Sequence, residues 1–176
     1  MSFSTFGLSP ALVLNLQSAP LNFTQMTQVQ QKTLPVLLSR TDLHVQAKTG
    51  EGKTVAFLVP AIQHCLQNPL KKGIKVLVVS PTRELALQIA AEAKTITANM
   101  KINIGVAIGG TNINKEVSAL PSLDILVATP GRLLDHLGNV NIQTLVYNLD
   151  MFVLDECDRL LDMGFTPDIL KIIKYF

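Results

Sequence analysis

Cysteine is scarce. Cys65 and Cys157 are the only two in 176 residues, too few for a disulfide framework and not spaced as a C-x-x-C pair. A reducing, intracellular compartment is therefore expected, with nucleus, cytoplasm and organelle all open. Long apolar runs are missing too. The longest, such as residues 76–79, fall far short of the roughly 18 residues that a membrane span requires, so no membrane association is expected. Charge of one sign is nearly balanced: 15 Lys and Arg against 13 Asp and Glu give a net +2, and no Lys/Arg run stands out. A strong overall field is not how such a chain would hold nucleic acid. Repeats and low-complexity segments are absent, and residues 1–10 read as the edge of a domain rather than a leader.

What is present is apolar. Hydrophobic residues make up 48% and charged residues 16% of the chain, with a mean hydropathy of +0.33, which excludes intrinsic disorder. A single domain of this length buries roughly 70% of the surface its unfolded chain exposes. Short β-branched runs at 43–47, 75–80, 103–108, 124–128 and 151–155 predict strands, and 53–67, 83–100, 112–120 and 131–137 predict helices between them. Runs such as Val76-Leu77-Val78-Val79 are apolar on both faces, as in a parallel sheet covered by helices. The alternation predicts an α/β fold with right-handed crossovers, and ligands in such folds bind beyond the carboxyl ends of the strands. Ahead of the strands, Ser9-Pro10 predicts the start of a helix over 11–17. Thr27 predicts the cap of a second helix ending near Pro35. The chain stops in a helical pattern over 167–175, from which a longer parent chain is expected.

Chemistry follows the strands. Ala47-Lys48-Thr49-Gly50-Glu51-Gly52-Lys53-Thr54 resembles a phosphate-binding loop, with Ala47 where the strict pattern has Gly. Its glycines would turn backbone N–H groups toward phosphate oxygens, Lys53 would reach the β- and γ-phosphates, and Thr54 would ligate Mg²⁺. Asp155-Glu156-Cys157-Asp158 ends an apolar run and offers one carboxylate for a metal, through water, and a second to orient a nucleophilic water. An acidic helix N-terminus favoured by the macrodipole is the alternative. Thr129-Pro130-Gly131-Arg132 and Pro81-Thr82-Arg83-Glu84 each end a run with a capping hydroxyl, a proline and an arginine. These are either phosphate-positioning contacts or simply well-capped helices. His44, His64 and His136 have no metal-ligand spacing with either cysteine, and Cys65 with the Ala86, Ile89 and Ala90 stripe reads as core.

In order and spacing these motifs resemble the first RecA-like domain of the DEAD-box ATP-dependent RNA helicases, over essentially the whole chain. The resemblance implies a RecA-like P-loop NTPase domain, a mostly parallel sheet with helices on both faces. It divides the chain into a Q-motif region (1–36) and the RecA-like domain proper (37–176). Phe3, Leu8-Ser9-Pro10, Phe23 and Gln30 match the Q motif; Gln30 would select adenine and Phe3 would stack on it, with Phe6 as the fallback. Ala47–Thr54 matches motif I, Pro81-Thr82-Arg83-Glu84-Leu85 motif Ia, Gly109-Gly110 the glycine doublet and Thr129–Arg132 motif Ib. Motif II is spelled DECD, with Lys53, Asp155, Glu156 and Asp158 in the catalytic positions and Thr54 and Asp155 toward Mg²⁺. The implied ligands are ATP, Mg²⁺ and single-stranded RNA, gripped by its backbone without regard to sequence. The Ser-Ala-Thr motif and the second RecA-like domain, the implied partner, lie outside this sequence, so the chain alone, expected to be monomeric, should be nearly inactive. A nucleotide-dependent RNA clamp without turnover is the rival reading; intact Lys53 and Glu156 favour the enzyme.

Overall fold

A computed structural model of the chain describes residues 1–69, 71–139, 146 and 149–175. Two units make it up: Met1–Asn68 with Ala93–Lys101, and Pro69–Glu92 with Ile102–Phe176. In the second unit, β1 (Val76–Val79), β2 (Ile104–Ala107), β3 (Ile125–Ala128) and β4 (Met151–Leu154) form a parallel sheet ordered β2-β3-β1-β4. The central pair, β1 and β3, is buried along its whole length, as continuous β-branched runs require. Register is the feature that matters for function. Val79 pairs with both Ala128 and Leu154, and Ala107 pairs with Ala128, so all four strands end at one level.

One layer of the core joins Leu77, Val79, Leu126 and Ala128 to three helices. These are α6 (Pro130–Asn139) through Leu133 and Leu137, α7 (Cys157–Asp162) through Leu160, and α8 (Thr166–Ile173) through Ile169 and Ile172. At the amino ends of the strands the Lys75 ammonium, 2% exposed, donates to Asp124 Oδ1 at 2.6 Å, while Asp124 Oδ2 accepts from the Asn103 N–H at 2.8 Å. One carboxylate thus ties the starts of β1, β2 and β3.

The first unit holds α1 (Pro10–Gln17), α2 (Gln28–Leu38) and α3 (Lys53–Gln67), with Leu12, Leu16, Leu34, Leu58 and Ile62 fully buried. The Ser9 N–H donates to Gln63 Oε1 at 2.8 Å, and Asn15 Nδ2 donates to the carbonyls of Ile96 and Ala98 at 2.9 and 2.7 Å. The division between units falls inside α4 (Arg83–Ile96); α5 (Ile113–Ala119) lies in the second unit. Among the described residues, no helix is long and apolar enough to cross a membrane.

Several expectations need correction. Residues 43–47 form no strand: Leu43 and Val45 are exposed and the segment joins no ladder, so its apolar alternation lacks the neighbour that stabilises a strand. Ser9 precedes α1 without a side-chain cap bond. The second helix passes Pro35 and ends at Leu38, since a proline removes one N–H bond without barring the turn that follows it. Helix α4 stops at Ile96, short of Met100, and Asn99 takes a left-handed φ of 62° just beyond.

The Lys75–Asp124 pair generates a stability test. Asp124→Ala strands a buried ammonium and should lower the unfolding free energy by about 3 kcal/mol, whereas Lys75→Met, which leaves Asp124 bonded to Asn103, should cost about 1 kcal/mol. Urea denaturation measures both. Equal losses would mean that burial of the ammonium is not what the carboxylate offsets.

Candidate functional site

In the first unit the site begins with a helix cap. Thr27 and Gln30 form a reciprocal box: the Gln30 N–H donates to Thr27 Oγ1 at 3.4 Å, and the Thr27 N–H donates to Gln30 Oε1 at 3.0 Å. This is the S/T-x-x-E/Q signature of a helix start. Gln30 is 5% exposed, and its Nε2 also donates to the Gly52 carbonyl at 3.2 Å. The glutamine therefore links the start of α2 to the glycine-rich loop before α3.

That loop turns through Gly50 and Gly52, each at a φ of +82°, a conformation open to glycine at little cost. Gly52 has a second reason to be glycine, because a Cβ there would lie 2.5 Å from Gln30 Nε2. Glu51 Oε2 accepts from the Lys48 N–H at 3.1 Å. The Lys53 ammonium donates to the carbonyl of Ala47 and, at 3.3 Å, to that of Lys48. Thr54 follows in the first turn of α3, half-buried. Phe3 is 1% exposed and belongs to the core, so its ring has no face to offer a base. Phe6 is half-buried and takes its place as the candidate stacking ring.

In the second unit, the loops after the strands carry the remaining candidates at the level set by the register. After β1, Thr82 Oγ1 accepts from the Leu85 N–H at 3.2 Å and caps α4; Pro81 is buried and Glu84 lies exposed in the first turn. Arg83 lies across the glycine doublet after β2. A Cβ on Gly109 or on Gly110 would each come 2.9 Å from a guanidinium nitrogen, and Gly110 also has a φ of +90°.

After β3, Thr129 leads through Pro130 and Gly131 into α6. Arg132 donates from Nε to the Ile108 carbonyl at 3.0 Å and from its terminal nitrogen to the Thr111 carbonyl at 2.9 Å. It thus holds the two residues that flank the doublet. After β4, the Asp155 N–H still bonds Val79 O at 2.9 Å. Glu156 sits at φ 48°, ψ 52°, a left-handed conformation that costs a side-chain-bearing residue about 1 kcal/mol or more. Its carboxylate meets Arg159 at 3.2 Å on the surface, and Asp158 is exposed.

Sequence reasoning missed Glu116, His136 and Thr111. Glu116 Oε2 lies 2.6 Å from His136 Nε2 and 3.8 Å from Arg132 Nε, and Glu116 Oε1 contacts the Thr111 hydroxyl. The spacing of Arg132 and His136, one helical turn apart, was the available signal; their partner on α5 carried none.

The family model described as DEAD/DEAH box helicase matches residues 27–176. The chain is 46% identical over 180 residues to the "DEAD-box ATP-dependent RNA helicase 26" of Oryza sativa subsp. japonica, covering 99% of this chain and 34% of that protein. It is 45% identical over 177 residues to the "ATP-dependent RNA helicase HAS1" of Debaryomyces hansenii, covering 98% and 30%. A crystal structure of a DEAD box protein from the hyperthermophile Methanococcus jannaschii superposes with a TM-score of 0.88 at 36% identity, covering 99% of this chain and 47% of that one. The chain thus spans about a third of the length of the curated relatives it matches.

The contact between Gln30 and Gly52 can be tested by a double-mutant cycle. Gly52→Ala should destabilise the chain by about 2 kcal/mol, roughly half from the left-handed backbone and half from displacing the amide. In a Gln30→Ala background only the backbone part should remain, giving a coupling of about 1 kcal/mol in chemical denaturation. Strict additivity would show that the amide does not press on Gly52.

Proposed function

The chain belongs to the DEAD/DEAH box helicase family, and from that premise we propose that it is the first, nucleotide- and RNA-binding RecA-like domain of an ATP-dependent RNA helicase. The observation that carries the reading is the shared level of the strand ends. Register brings the acidic turn after β4 and the loops after β1, β2 and β3 to one edge of one sheet, where α/β folds bind their ligands.

The residues fit a nucleotide. Gln30 Oε1 uses one lone pair on Thr27 and Nε2 one N–H on Gly52, so each atom keeps capacity for one further bond. A remaining acceptor beside a remaining donor matches the N6/N7 edge of adenine, whereas guanine presents acceptors at both positions. The loop fits phosphate: two glycines with left-handed backbone precede the amino end of a 15-residue helix, and Lys53 Nζ already sits among oxygen acceptors. A threonine hydroxyl and a carboxylate are each hard oxygen donors, the kind a hard divalent cation takes. Lys53 would bind the phosphates, Thr54 and Asp155 would hold Mg²⁺, and Phe6 would stack on the base. Glu156 would orient and deprotonate the attacking water, and Asp158 would couple that step to RNA. When bound, the metal supplies neutralisation of the β- and γ-phosphate charge. Thr82, Arg83, the Gly109-Gly110 turn, Thr129 and Arg132 would position an RNA backbone, contacts that carry no base information. Turnover would require a second RecA-like domain, since groups supplied in trans to a transferring phosphoryl contribute about a thousandfold or more.

Three measurements bear on this. ADP should bind more tightly than GDP by isothermal titration calorimetry. Gln30→Ala should erase the preference, while Thr27→Ala, which removes the cap but keeps the amide, should retain it; equal affinities in the parent chain would remove the adenine role. Lys53→Ala should abolish the stabilisation by ATP and Mg²⁺, which amounts to about 2.7 kcal/mol at a hundredfold excess over Kd. An unchanged ligand-induced rise in Tm would exclude Lys53 as the phosphate lysine. Finally, ATP hydrolysis by residues 1–176 should stay near background with RNA added; robust stimulation would contradict the need for a second domain.

A further inference from the structure

Glu116 lies outside every motif, yet its carboxylate gathers the supports of the glycine doublet. It is 11% exposed on α5. One oxygen takes the Thr111 hydroxyl; the other lies 2.6 Å from His136 Nε2 and 3.8 Å from Arg132 Nε. Arg132 then holds the carbonyls of Ile108 and Thr111, the two residues that flank Gly109-Gly110. The Thr111 hydroxyl is also 2.6 Å from Ile108 O. His136 is 1% exposed, its Nδ1 has no partner among the described residues, and its ring lies among Leu120, Leu126, Leu133 and Leu137. Glu116 is thus the polar contact that orients this imidazole. Hydrocarbon would pack in such a place at lower cost than a polar pair, so the pair needs a role other than packing.

We propose that Glu116 is a positioning residue for RNA binding: through Arg132 and Thr111, with His136 fixing the carboxylate, it holds the Gly109-Gly110 turn in the form that presents its backbone to RNA. This rests on the reading of that turn as an RNA contact. Glycines sample many backbone conformations, and Gly110, at φ +90°, has no side chain of its own to select one. The clasp supplies that selection. Arg132, only 10% exposed, also acts on the turn itself.

The apparent Kd rises as the binding-competent fraction falls, so a turn released to about a fifth or a tenth of its competent population binds about five- to tenfold more weakly. The test uses residues 1–176, a fluorescein-labelled oligouridine read by anisotropy, the ADP affinity, and the backbone amide resonances of Gly109 and Gly110. Glu116→Ala should weaken oligouridine binding by that factor and shift both glycine amides, with ADP affinity within about twofold. Thr111→Val should weaken RNA binding and Thr111→Ser should restore it, a recovery that general loosening of the fold would not produce. Should Glu116→Ala fail to fold, Glu116→Gln and the threonine pair decide by the same criteria. Parental RNA affinity in the folded Glu116 variants, or equal affinity of Thr111→Val and Thr111→Ser, overturns the proposal. Gly110→Val separates it from the underlying reading. If Gly110→Val leaves RNA affinity unchanged, the turn is not an RNA contact. If Gly110→Val weakens binding while the Glu116 variants do not, only the positioning role fails.

Discussion

Three ladder bonds set the level from which the loops after the strands depart: Asp155 N–H to Val79 O, Ser80 N–H to Ala128 O, and Thr129 N–H to Ala107 O. Each extends a strand pair by one residue and fixes where the backbone leaves the sheet. A slip of one residue in any pair would exchange the side chains of a strand's two faces. With Val76, Val78, Ile125 and Val127 all at 0% exposure, that would force buried side chains toward the opposite face. The hydrophobic core therefore enforces the register, and the register aligns the loops. Placement of Arg83, Gly109, Thr129 and Asp155 along one edge is a consequence of that packing.

Within the loops, the residues that look like ligands also hold the loops together. Gln30 closes a helix cap and grips Gly52; Arg83 fills the space over two glycines; Lys53 holds two carbonyls. Such arrangements preorganise a site at the expense of bonds a ligand must share or displace. Gln30 can share, because its amide atoms each have a second bonding position. An ammonium has three N–H donors, so Lys53 can engage an anion while retaining a loop contact. Glycine at 52, 109 and 110 is dictated by these neighbours as much as by backbone conformation.

How much was legible follows from where the signal lies. The four strands of the sheet were readable because both of their faces are apolar. The runs extend a residue or two beyond the strands, because hydropathy does not mark where a ladder ends; single ladder bonds still continue to Ser80 and Asp155. Residues 43–47 carry apolar alternation, but a strand is a property of a pair, and a pattern cannot show a partner. Thr27 was legible as a helix cap, whereas the reciprocal part of Gln30 in that cap was not read, and the bond from Gln30 to Gly52 spans 22 positions and left no local trace. Phe3 was assigned to stacking from its place before the Q motif; its burial depends on packing that spacing does not encode. Glu116 was invisible for the same reason, since Arg132 and His136 lie on α6.

The small net charge of +2 gains a structural meaning from these contacts. Arg132 faces Glu116, Arg159 faces Glu156, and Arg83 lies over glycine backbone. Part of the positive charge near the strand ends is thus opposed by acidic side chains within the chain itself, and the Arg132 guanidinium is largely committed to carbonyls. On the proposed RNA reading, what remains to meet a phosphate is mainly directional: backbone N–H groups at helix starts, the turn at Gly110, and hydroxyls such as that of Thr129. Directional donors act at hydrogen-bonding distance and release few counterions, whereas exposed cationic runs act over a Debye length. An interface of this kind recognises the spacing and path of a backbone rather than its charge density. The shape of the turns, and hence the side chains that hold those turns, becomes the quantity on which binding depends.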